Sequence, residues 1–264
     1  MLETRDLTVR FGGHVAVNAV SCRFEPGTLT AIVGPNGAGK TTYFNLISGQ
    51  IAASAGTVSL GGQPLDGLSV SQRTRRGLGR AFQLTNLFPN LTVLENVRLA
   101  VQATRRGAHR RGFNLWSVWL DHSELTVRAG EILGQVELLD KAQSSAASLP
   151  HGDQRKLEVA LLMALEPKVF MFDEPTAGMS ALEAPLILKL IRKLKEDPCK
   201  TILLVEHKMD VVRELADRII VLHNGELVAD GLPAEVMALQ VVQEAYLGVS
   251  AKAEPSKVQM GQGA

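Results

Sequence analysis

The sequence predicts an α/β fold: a mostly parallel sheet, an antiparallel β layer at its N-terminal side and an α-helical subdomain. Three observations predict it. Short apolar runs of strand length, Leu29–Val33, Val169–Phe172 and Thr201–Val205, alternate with helical stretches. Residues 2–33 alternate apolar and polar, with turn signals at Gly12-Gly13 and at Glu25 to Gly27. A glycine-rich loop, Gly34 to Thr42 (GPNGAGKTT), stands between the first apolar run and a helix opening at Tyr43–Ser48.

Strand, glycine loop, helix is the setting of a phosphate-binding loop, so the core reads as a P-loop NTPase core. Gly34, Gly37 and Gly39, with Pro35, Asn36 and Ala38 between them, let the backbone curl with several N–H groups facing inward. The helix that follows adds the positive end of its dipole. Lys40 can reach the β- and γ-phosphates of a nucleotide, and the Thr41 hydroxyl, followed by Thr42, can ligate Mg²⁺.

Composition narrows the setting. With 264 residues, 45% hydrophobic and 21% charged, the chain suits one α/β domain with a subdomain. A net charge of +1 selects neither nucleic acid nor an anionic surface. Cys22 and Cys199 stand far apart, which is neither a disulfide framework nor a zinc site and fits a reducing compartment. The start of the chain lacks the apolar core of a signal peptide, and no apolar run approaches a membrane span. Any connection to a membrane is expected to run through a partner.

Taken in order, Phe11 ends the first strand and has two readings: a core aromatic, or a flat ring on which adenine stacks. Arg73, Arg75, Arg76 and Arg80 read as a solvated helix face. A helix is expected over Thr92–Ala103, with Glu95 placed to close a capping box from Thr92. Residues 104–123 combine Arg105, Arg106, Arg110 and Arg111 with Trp116 and Trp119. That segment is either an inserted loop and helix packing on itself, or a contact surface for lipid headgroups or a membrane partner. Residues 124–140 read as helix, and Leu149 to Lys156 (LPHGDQRK) opens an apolar helix to Leu165 with Asp153 in its first turn. Together these make a helical subdomain over about residues 84–165.

Val169–Phe172 runs into Asp173 and Glu174, and two adjacent carboxylates at a strand tip are costly without work to do. Beside a phosphate loop, the first is placed to hold Mg²⁺ through water and the second to orient or deprotonate the attacking water. Thr201–Val205 ends at Glu206-His207, at the same sheet end. Asp217–Leu222 and Glu226–Asp230 form a hairpin through Asn224-Gly225. Residues 249–264 are small and polar and read as a disordered tail.

This ordered set over about residues 2–248 resembles the ATP-binding subunit of an ABC transporter. Gly34–Thr42 matches the Walker A loop and Val169–Asp173 the Walker B strand. Gln83 falls at the Q-loop, Leu149–Gln154 at the ABC signature, Ala177–Ser180 at the D-loop and His207 at the switch histidine. Phe11 with Gly12-Gly13, the long Gln83-to-signature segment and Glu244 to Gly248 (EAYLG) look most like subunits for branched-chain amino acid uptake.

The resemblance implies a peripheral ATPase at the cytoplasmic face of the cell membrane. It would pair with a second such subunit around two ATP molecules, drive integral-membrane permease subunits, and through them serve a periplasmic or extracellular solute-binding protein. Nucleic acid is not an expected partner. The resemblance gives Mg²⁺ to Asp173, Gln83 and Thr41, makes Glu174 the general base, sets His207 and Lys40 on the γ-phosphate and stacks Phe11 on adenine. Three positions depart from the family pattern. Pro150 replaces the signature Ser, His151 a Gly, and Ser180 the D-loop Asp. Contacts to the partner's nucleotide then fall to His151, Gly152, Asp153 and the helix N-terminus. Gly152 is expected to be a glycine because a Cβ would crowd the phosphate or meet a positive φ. Alternative readings are import of another small polar solute, such as urea or an amide, and a permease-free ATPase acting on nucleic acid or the ribosome.

Overall fold

The computed structural model describes residues 1–81, 87–106, 117–179, 183–240 and 242–243. Gln83, Ser180, residues 107–116, Glu244 to Gly248 and the tail from 249 lie outside the described residues.

β1 (Leu2–Phe11) and β2 (His14–Phe24) form an antiparallel hairpin turning at Gly12, whose φ of 57° is one glycine takes without strain. They bury Leu7, Val9, Val17 and Val20 and leave Arg5, Asp6, Arg10 and Asn18 outside. The chain then crosses to a second sheet as β3 (Leu29–Val33), passes through helix α1 (Lys40–Ser48), and returns as β4 (Ala55–Leu60) and β5 (Gln63–Pro64). The first sheet has the order β2-β1-β4-β5.

The second sheet is built from β3, β6 (Leu78–Ala81), β7 (Val169–Asp173), β8 (Thr201–Val205), β9 (Arg218–His223) and β10 (Glu226–Gly231), in the order β10-β9-β3-β8-β7-β6. All pairings but β9 with β10 are parallel. β3, β7 and β8 are buried along their whole length, which is why they read as unbroken apolar runs. Ile32 pairs with Val205, and Val205 with Asp173, so these three strands finish level. The turns leaving them share one sheet end, where open α/β sheets place their ligands.

α2 (Val70–Arg75) precedes β6, while α3 (Val93–Arg106), α4 (Ser117–Gln135) and α5 (His151–Ala164) pack on one another. Val93, Val97, Ala129, Ile132, Leu133 and Leu157 fill their shared core. The capping box forms as expected: Thr92 N–H donates to Glu95 Oε2 at 2.8 Å and Glu95 N–H to Thr92 Oγ1 at 3.1 Å. α6 (Ala184–Lys195), α7 (Met209–Leu215) and α8 (Pro233–Ala238) complete the fold.

The arginine run is not a solvated face. Arg75 and Arg76 are exposed, but Arg73 is buried, and its Nη1 donates to Leu46 O at 2.9 Å and Ile47 O at 2.7 Å. It thereby satisfies carbonyls that the end of α1 leaves without helical partners. The Arg80 side chain is also turned inward, for a reason that belongs to the site.

Candidate nucleotide site

The three glycines of the loop between β3 and α1 all have positive φ, and two of them are also closely packed. A Cβ on Gly34 would lie 2.2 Å from Leu222 O, and one on Gly39 2.6 Å from Ala16 O. Gly37 has a φ of 79°, but its Cβ would meet nothing within 4 Å: that side of the loop is open. The Asn224-Gly225 turn holds the loop from behind. Gly225 N–H donates to Ala38 O at 3.1 Å, and Asn18 N–H to Gly225 O at 2.8 Å. The N–H groups of Lys40, Thr41 and Thr42 open α1 and have no partner inside the helix, so they and the dipole favour an anion there.

Lys40 arches back over the loop. Its Nζ donates to Gly34 O at 2.7 Å and Pro35 O at 2.9 Å. Burial pulls its pKa down, while the charges of Glu174 and Asp173 push it back up. The amine is therefore tethered beside the open side of the loop with both carboxylates in its field. Thr41 is exposed at the first turn.

Asp173 ends β7 in a buried ion pair: Arg80 Nη2 donates to its Oδ2 at 2.7 Å, with both side chains 8% exposed. Arg80 Nη1 donates also to Asn45 Oδ1 at 2.7 Å, Ser48 Oγ at 3.0 Å and Gln50 Oε1 at 3.1 Å, and the guanidinium lies over the Phe44 ring. One side chain thus joins the end of the loop helix to Asp173. Burial raises the pKa of Asp173, and Arg80 and Lys40 act against that rise.

Glu174 adopts φ 49°, a left-handed conformation that costs a non-glycine residue roughly 1–2 kcal/mol. Its N–H donates to Val205 O at 2.9 Å, which aims it across β8. His207 leaves β8 at the same level, with Nδ1 3.8 Å from Glu174 Oε1 and 3.7 Å from Glu206 Oε2. Two local turns therefore bring together the carboxylate and the imidazole singled out in the sequence.

Phe11 is 51% exposed beside the turn of the first hairpin, opposite His14. Its core reading falls, and the same hairpin touches the loop through Ala16. A base stacked on an aromatic side chain is worth about 1–3 kcal/mol. Phe11→Ala is therefore expected to weaken ATP binding by about tenfold with an unchanged melting temperature, measured by titration and thermal unfolding. Unchanged affinity would assign Phe11 no part in the site.

α5 opens at His151 after Pro150, which has no side-chain cap to offer. Asp153 is buried and ion-paired with Lys141 and with Lys156, the latter at 3.2 Å. Burial works against its charge, and the two lysines outweigh burial and hold its pKa below the usual carboxylate range. Gly152 does not have a positive φ, so the conformational reading falls; a Cβ there would meet the Glu183 side chain, with Oε1 at 1.9 Å, and would need that flexible carboxylate to move aside. His151 lies beside Gly178, so this turn is packed on the segment that follows Glu174.

The donor set suits Mg²⁺. Among the described residues no three His, Cys, Asp or Glu converge as a metal cluster, and a Mg²⁺ shared with phosphates needs only one or two protein oxygens. The Asp173 carboxylate and the Thr41 hydroxyl are oxygen donors of that kind. Arg80, Glu206 and the Asn224-Gly225 clamp escaped sequence reasoning, since each acts through contacts remote in the chain.

Fold and site together define a P-loop nucleotide-binding cassette. Residues 17–177 match the family model for the ABC transporter, and the chain belongs to that family. It is 39% identical over 249 residues to the high-affinity branched-chain amino acid transport ATP-binding protein LivG of Escherichia coli K12, covering 94% of this chain and 98% of that one. It is 36% identical over the same length to BraF of Pseudomonas aeruginosa, a high-affinity branched-chain amino acid transport ATP-binding protein. Among solved structures, the ADP conformation of an ATP-binding cassette of an ABC transporter superposes with a TM-score of 0.78 at 27% identity, covering 94% of this chain and 98% of that one.

Proposed function

We propose that this chain is the ATP-hydrolysing subunit of an importer for branched-chain amino acids, acting as a dimer at the cytoplasmic face of the membrane. The observation that carries it is Glu174 facing His207, level with the phosphate loop, in a chain so similar along its length to branched-chain amino acid transport ATP-binding proteins. A cassette bound to ADP and Pi, 28% identical to this chain, has been solved as a dimer, which supports the dimeric reading.

In this reading the loop N–H groups and Lys40 hold the phosphates, and Phe11 holds the adenine. Thr41, Asp173 and Gln83 would hold Mg²⁺, which supplies positive charge to the phosphate oxygens. Glu174 takes the proton of the attacking water, and His207 orients toward the γ-phosphate. Across the dimer the α5 N-terminus faces the partner's nucleotide, and Pro150 lacks both a hydroxyl and an N–H. His151, Gly152 and Asp153 therefore serve that nucleotide through the backbone, while the Asp153 side chain stays with its lysines.

No helix of the described residues is long and apolar enough to cross a membrane, so a permease must supply the span. An open groove of about 410 Å³ between β6 and the helical subdomain suits a permease segment. Arg80, Ala81, Leu99, Leu161 and Leu165 line it, and Phe88 stands 55% exposed at its wall. The test is reconstitution in proteoliposomes with the neighbouring permease and binding-protein chains. ATP-dependent leucine uptake is the expected result. Uptake of urea or an amide instead would change the cargo and keep the motor. Failure to copurify with any permease would overturn the importer reading.

A further inference from the structure

We propose that Glu206 is a positioning residue for catalysis, holding the turn of His207 against the turn of Glu174. The inference rests on the roles given above to those two residues. Glu206 directly follows β8 and is fully buried, and a buried carboxylate is retained only where donors satisfy it. Its donors come from two different turns. Thr176 Oγ1 donates to Oε1 at 2.7 Å; His207 N–H and Lys208 N–H donate to Oε2 at 2.8 Å and 3.2 Å. Lys208 Nζ donates to Thr176 Oγ1 at 3.3 Å, placing a positive charge one hydroxyl away.

These bonds stitch a residue two positions beyond Glu174 to the backbone that carries the imidazole. The Glu174 N–H to Val205 O bond makes a second stitch one residue earlier on β8. The His207 ring itself is half exposed, and its Nδ1 lies 3.7 and 3.8 Å from the two neighbouring carboxylates, beyond ordinary hydrogen-bond length. Its placement therefore rests on its backbone, and that backbone is held by Glu206. Displacing a reacting group by about 1 Å can cost 10²-fold in rate.

The test uses the full chain, with steady-state ATPase, equilibrium binding of a fluorescent ATP analogue and thermal unfolding. Glu206→Ala is expected to lower kcat by about 10- to 100-fold with KM and analogue affinity within about twofold of the parent. Glu206→Gln is expected to keep kcat within about threefold. Its carbonyl oxygen can accept both backbone N–H groups, and its amide can donate to Thr176. Thr176→Val, which keeps the backbone stitches, should fall between the two. If Glu206→Ala does not fold, Thr176→Val and Glu206→Gln carry the test. The proposal is overturned by unchanged kcat in Glu206→Ala and Thr176→Val, by KM rising in step with the loss of kcat, or by Glu206→Gln being as impaired as Glu206→Ala. Normal turnover in Glu174→Gln would instead sink the catalytic reading itself, whatever Glu206 does.

Discussion

Glu174→Gln leaves ATP bound and lowers turnover by about 10²- to 10⁴-fold, the range a positioned general base contributes. The amide keeps the shape of the carboxylate and loses its basicity. The backbone cost is common to both side chains: the left-handed φ of 49° and the bond from residue 174 N–H to Val205 O do not depend on the carboxylate. Folding should therefore be unaffected, which separates this variant from a destabilising one. In the dimer that we propose, ATP would enter but not leave as ADP. Size-exclusion chromatography with ATP should show a persistent dimer in the variant and a transient one in the parent. Near-normal turnover would remove Glu174 from the catalytic role and leave its backbone conformation without a functional explanation.

Arg80→Met unfolds at a markedly lower temperature. Arg80 and Asp173 are each 8% exposed, and removing one partner of a buried pair leaves the other charged and unpaired. Such losses are about 3–5 kcal/mol, or roughly 6–15 °C in a domain of this size. Methionine keeps apolar contact with the Phe44 ring, so the deficit reports charge and hydrogen bonding more than volume. The bonds from Arg80 to Asn45, Ser48 and Gln50 are lost as well. A double-mutant cycle isolates the pair: Arg80→Met with Asp173→Asn should cost clearly less than the two single changes summed. Additive losses would mean that the ion pair carries no coupling of its own. A melting temperature unchanged in Arg80→Met would overturn the account of the buried pair altogether.

What the sequence by itself determined is what contiguous residues can carry. The phosphate loop, Asp173-Glu174 after an apolar strand, and His207 after another are each a short pattern whose chemistry and local conformation lie within a few positions. The parallel order of the core followed from buried strands that read as continuous apolar runs, and the Thr92–Glu95 cap from a spacing of three. Only the tertiary structure decided which polar residues face inward. Arg80 meets Asp173 across 93 positions, Thr176 meets Glu206 across 30, and Arg73 reaches Leu46 across 27. In the sequence these arginines are part of a basic run and Glu206 a residue beside a histidine. The pairing of Asp153 with Lys141 and Lys156 belongs to the same class. The physical reason is common to all of them. A charge is tolerated inside when its partners arrive from elsewhere in the fold, and a side chain carries no local mark of the partner that will meet it.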